Sequence, residues 1–182
     1  MQVTDIKPAI TLAKVATRVG RRRRTSHRLR RGLLSGAAAG AVGTTALDVV
    51  TYLDMVTRGR PTSSTPEDSI EALSRTSHIP VPGDDATRAN RVAGLGALTG
   101  LFAGVGVGAV LGLTQSAGWR PRRFMLGLAA TALVLAAGNG PMTVLGVTDP
   151  KTWSATDWVS DLVPHAAYGV TTAWVLQELA ER

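Results

Sequence analysis

The longest uninterrupted apolar pattern in the chain runs from Val92 to Thr114, VAGLGALTGLFAGVGVGAVLGLT. It has no charged residue and a glycine at every fourth position: Gly96, Gly100, Gly104, Gly108 and Gly112. A period of four is close to the 3.6 of an α-helix, so the stripe drifts by roughly 40° per step and its two ends face different neighbours. In water each glycine costs a helix about 1 kcal/mol relative to alanine. In lipid a helix is the only way for this backbone to satisfy itself, and small residues four apart let another helix come close. The segment reads as a membrane span with a packing face.

Three further apolar blocks complete the pattern. Residues 33–56, LLSGAAAGAVGTTALDVVTYLDMV, repeat the spacing of four through Gly36, Gly40, Thr44, Asp48 and Tyr52, which makes this stripe the natural partner of the glycines. Blocks at 124–146 and 158–179 are, like the glycine segment with its lead-in at 90–114, long enough to cross about 30 Å of hydrocarbon. Between the first two spans lies a polar loop, 57–89. There Thr65, Pro66, Glu67 and Asp68 give a capping threonine, a proline at the first helical position and acids in the first turn, predicting a short helix to about Arg75. Asp84 or Asp85 then caps a helix that continues into the glycine span. Asn139, Gly140 and Pro141 interrupt the third block, and two readings stay open: a bend, or an unwound segment exposing carbonyls to an ion. The fold class expected is an all-α integral membrane protein with four transmembrane helices, glycine-stripe packing and a short outer-side helix in the first loop.

Charge adds orientation. The net charge is +7 and the pI near 11, yet half of the 20 Lys and Arg precede Gly32, among them Arg21, Arg22, Arg23, Arg24, Arg28, Arg30 and Arg31. Residues 1–32 read as a basic arm on anionic lipid headgroups, at about 1 kcal/mol per charge, ahead of the membrane domain 33–182. No interleaved aromatic platform favours nucleic acid as its partner, and the apolar run that follows is too long and too glycine-patterned for a cleaved leader. With the N-terminus inside, fourteen Lys and Arg fall on the cytoplasmic side and six outside, so both termini are expected in the cytoplasm and the protein in the inner membrane. Trp119, Arg120, Arg122 and Arg123 mark a membrane interface between the second and third spans.

Candidate chemistry is sparse. Asp48 lies within a span, where a carboxylate costs about 2.5 to 3.5 kcal/mol and normally faces protein or water. A hydrogen-bonding role and a transport role both remain open for it. In the last span Asp161, His165, Tyr168 and Thr172 fall within roughly 60° of one face. At about 1.5 Å per residue, Asp48, Thr99, Asn139 and His165 lie roughly 9 to 13 Å below the outer surface, so Asp48, Thr99, Asn139, Asp161, His165 and Tyr168 are expected to form one polar cluster. The chain has no cysteine, His78 has no second ligand nearby, and no GxSxG, HExxH or phosphate-loop motif is present. No metal, cofactor or enzymatic activity is expected. A structural or accessory subunit, homo-oligomeric or part of a larger complex, is the leading expectation, and a proton or small-ion pathway is its rival.

The segments GAAAGAVGTTALDVV and DLVPHAAYGV resemble small bacterial inner-membrane proteins of the YagU type and their actinobacterial relatives. The resemblance covers mainly the first and last spans and implies an association with acid tolerance; the extended arginine arm departs from that compact pattern. The glycine spans are also similar in packing style to four-helix protein-translocase subunits.

Overall fold

The computed structural model describes residues 6–181, with side chains described from Thr25 onward. Regular structure in that range is helical throughout: α1 (Ile6–Arg58), α2 (Thr65–Ser77), α3 (Asp85–Ser116), α4 (Arg123–Val144), a 3-10 turn at Pro150–Thr152, and α5 (Ala155–Glu181). Three stretches are long and apolar enough to cross a membrane: Thr25–Arg58, Asp85–Ser116 and Arg123–Val144. Within each, only 22% of the most apolar window is buried inside the protein. Side chains such as Phe102, 69% exposed, and Val144, 88% exposed, leave a broad apolar exterior that matches lipid. The 27 residues of α5 also suffice in length, but Asp161, Pro164 and His165 dilute its apolar content and it is not among the three.

The helices form two antiparallel hairpins. α1 pairs with α3, and α4 with α5; α1 also packs along α5, while α3 meets α4 over a smaller area. Leu111, Leu126, Ala130, Val134, Tyr168 and Leu176 fill the centre. One end of the bundle carries α2 and the other carries the connection 117–122, where the left-handed Gly118 (φ 114°) turns the chain out of α3.

Sequence patterns set the element ends, with some shifts from expectation. α1 runs unbroken from Ile6 to Arg58, so the expected arm and first span share one helix. Arginine is a good helix former, and the run Arg21–Arg24 supplies no breaker. The N-cap of α2 is Ser64 rather than Thr65, placing Pro66 with Glu67 and Asp68 in the first turn, and the helix extends to Ser77 before His78 turns left-handed at φ 57°. Asp84 caps α3 by accepting from the Thr87 amide at 2.8 Å. α4 is not interrupted at Asn139: it continues past Pro141 to Val144, because a proline this close to the end removes only one ladder bond.

The Asp84 cap carries a first prediction. Its hydrogen bonds from Thr87 hold the carboxyl below the ordinary value of 3.8, so its contribution is fully present above that value and is lost as pH falls below it, through the lowered value. Asp84→Ala should raise amide exchange in the first turn of α3 at neutral pH, whereas Asp84→Asn should leave it close to wild type.

Candidate polar site and the glycine seam

The helix pair α1–α3 is joined backbone to backbone. A methyl placed on Gly108 would stand 2.6 Å from the Cα of Gly40, and one on Gly112 would stand 2.8 Å from the Cα of Gly36. Gly40 in turn faces the carbonyl of Gly104 and the Cα atoms of Gly108 and Val105. Only glycine allows this approach. The drift of the stripe is visible in its neighbours: a methyl on Gly96 would stand 3.1 Å from Pro66 of α2, one on Gly104 would run into Thr44, and one on Gly100 would face open space. A second seam, between α4 and α5, places Gly169 against Thr131 and the Gly127 carbonyl. The spacing of four between Gly127 and Thr131 matches that of the first two spans and is the signal that marks it.

Tyr168 seals the junction of the two hairpins. It is fully buried, its ring lies where a side chain on Gly43 would be, and its hydroxyl donates to the carbonyl of Gly104 at 2.6 Å. The sequence places it on the polar stripe of the last span, but its partner is backbone on α3, and it acts as a core residue with one satisfied polar tip.

The polar cluster is divided. Asn139 donates from Nδ2 to Oδ2 of Asp161 at 2.8 Å, joining α4 to α5. His165 Nδ1 lies 2.6 Å from the Asp161 carbonyl and 3.4 Å from its Oδ1. A carbonyl can only accept, so Nδ1 carries the hydrogen and Nε2 is left facing Gly138, whose missing side chain makes room for it. Thr99 is exposed and donates to Gly96 of its own helix at 2.7 Å. Asp48 is half-buried and has no hydrogen-bond partner among the described residues. Gly43 lies against Tyr168 and Thr172, and Arg58 reaches Ser160 at 2.6 Å. Asp48, a third of the way between them, therefore sits level with the stretch from His165 to Tyr168 in the antiparallel register. Shared depth thus brings Asn139, Asp161 and His165 into one hydrogen-bonded group, and leaves Asp48 level with it but unbonded.

Two ionic groups at the α2 end add to this. Asp54 accepts from Arg58 and Arg60, both at 2.5 Å, and Arg58 also holds Ser160, which ties α1 to α5. Glu71 of α2 receives both guanidinium nitrogens of Arg88 on α3 and closes one side of a cavity of about 340 Å³ that Glu67, Asp68 and Asp85 also line. No group of three metal-ligating side chains occurs among the described residues. Hydrogen bonding from the Arg88 guanidinium holds the Glu71 carboxyl below its ordinary value of 4.5, so the clamp contributes fully above that pH and is lost only as pH falls below it, through the lowered value. A spin-label distance between α2 and α3 should therefore hold in mild acid and broaden only at pH well below 4.5, and Glu71→Gln should broaden it at every pH.

Of the expected lipid-surface arginines, Arg28, Arg30 and Arg31 are exposed on α1, and the side chains of Arg21, Arg22, Arg23 and Arg24 lie outside the described residues. The fold defines an all-helical protein with three helices of membrane-crossing length and apolarity. No protein-family model, curated protein or solved structure matches the chain.

Proposed function

We propose that the chain is a multi-pass inner-membrane protein in which α5 serves as a fourth span, both termini are cytoplasmic, and the bundle acts as a structural or accessory subunit. The observation that carries this reading is the backbone-to-backbone seam of Gly36, Gly40, Gly104, Gly108 and Gly112, a contact suited to holding helices rigidly in lipid. Gly94, Gly100 and Gly106 have open space at their Cβ positions but, six residues apart, point about 120° from one another and so mark no single contact face. The cysteine-free chain makes the topology test direct. Single cysteines introduced by Thr62→Cys and Ser154→Cys should react with an impermeant maleimide in intact cells, and Ala117→Cys should react only after the membrane is opened. Labelling of all three in intact cells would overturn the topology.

A second reading follows from the Asn139–Asp161–His165 group with Asp48 at its level: a proton or small-ion path through the α2 end of the bundle, in line with the acid-tolerance association implied by the YagU-type resemblance. In liposomes with an imposed pH gradient this reading predicts flux that Asp161→Asn and His165→Ala both abolish. Absence of flux in the wild type leaves the structural role.

A further inference from the structure

We infer that the end of the bundle opposite α2 is a composite site for the phosphate of one anionic lipid, assembled from α1 and the connection 117–122. The inference rests on the membrane reading above. Two basic segments about ninety residues apart lie at this end: Arg28 and Arg31 on α1, and Arg120 and Arg122 between α3 and α4. The single hydroxyl hydrogen of Ser116, at the end of α3, is shared between the Arg28 carbonyl at 3.1 Å and the Gly112 carbonyl at 3.0 Å, which places the two segments side by side. From the other side Gln177 of α5 donates to the Pro121 carbonyl at 3.3 Å, so the connection is held at both edges. On α1, residues 28, 32, 36 and 40 share the seam face. Arg28 is thus one turn beyond Gly32, where α3 has already ended, and Arg31 is its neighbour on that side.

The charges at the two ends are treated differently. At the α2 end Arg58 and Arg60 share Asp54, Arg88 is held by Glu71 and Arg91 reaches the Pro82 carbonyl at 2.7 Å, which leaves Arg75 exposed without a salt bridge among the described residues. At the opposite end Arg123 is paired with Glu178 at 3.2 Å, but Arg28, Arg31, Arg120 and Arg122 have no acidic partner among the described residues and all are exposed. Just inside these arginines the surface is apolar: Leu33, Leu34, Phe124 and Met125 are all exposed, and Trp119 sits beside them. Unpaired guanidinium groups above an apolar wall match a ligand with a phosphate head and an acyl tail. A nucleic acid would leave that wall unused.

The test uses the purified full-length protein in nanodiscs of equal phosphatidylglycerol and phosphatidylcholine, with lipids retained after extraction counted by native mass spectrometry. The wild type should retain one phosphatidylglycerol. At about 1 kcal/mol per arginine, Arg28→Gln with Arg31→Gln should weaken retention by about 25-fold and lose that lipid, and Arg120→Gln with Arg122→Gln should do the same. Arg75→Gln at the α2 end should retain it. All of these side chains are exposed, so unchanged melting temperatures should show that the variants fold. Retention of one lipid by either double variant would mean two separate patches and overturn the composite site. Equal retention of phosphatidylcholine, displacement by millimolar inorganic phosphate, or tighter binding of a short RNA or DNA duplex would each overturn it as well. Release of the protein by alkaline washing of membranes would instead count against the membrane reading itself.

Discussion

Gly108→Leu should yield no folded protein, and Gly108→Ala a severely destabilised one. The first added carbon at Gly108 meets the Cα and amide nitrogen of Gly40 at 2.6 and 2.7 Å. These are backbone atoms of a neighbouring helix, which cannot rotate away as a side chain can. Overpacking a core costs about 1 to 3 kcal/mol when side chains can adjust. Here the whole of α1 has to shift, and the registered contacts of Gly36 and Gly112 go with it, so the loss is a large share of the roughly 5 to 15 kcal/mol that holds a typical protein folded. Gly100→Ala and Gly106→Ala, on the same helix with open space at their Cβ positions, should be neutral or slightly stabilising by about 0.5 to 1 kcal/mol. Melting in detergent, followed through the tryptophans, separates the two groups. Equal effects at Gly108 and Gly100 would refute the seam.

The second large effect is expected at Tyr168. Tyr168→Ala empties a fully buried ring site where α1, α3 and α5 meet and should cost about 3 to 5 kcal/mol. Tyr168→Phe keeps the ring and removes only the hydroxyl, whose acceptor at Gly104 is a helix carbonyl. That change should cost about 1 kcal/mol. If the two substitutions fall together, the hydroxyl and not the packing determines stability at this position.

The helices were legible because lipid-length apolar blocks have few alternatives, and the partner faces of α1 and α3 were legible because glycines four apart advertise a close approach. What the pattern does not specify is direction around the axis. Counting residues from the membrane surface gives depth, and depth put Thr99, Asn139, His165 and Asp48 at one level; it carries no information on which way each side chain turns. Thr99 satisfies itself on the Gly96 carbonyl, while Asn139 and Asp161 meet because α4 and α5 are consecutive and pack as a hairpin. Tyr168 was on the right stripe and in the wrong role, since its long side chain passes the polar group and reaches α3. The one-residue shift of the α2 cap from Thr65 to Ser64 has a simpler source: Ser63, Ser64 and Thr65 are adjacent and chemically equivalent candidates.

The double-hairpin arrangement also says how this chain could be divided. α1 and α3, separated in sequence only by the short α2, pack together, as do α4 and α5, and the pairs are joined by an extensive contact of α5 along α1 and by the Tyr168 ring reaching α3. Each pair has contacts of its own, and the broad α1–α5 face is what two separated halves have to recover. Two polypeptides separated between α3 and α4, made in the same cell, should find each other and rebuild the bundle, with Tyr168 as the piece that makes the reunion specific.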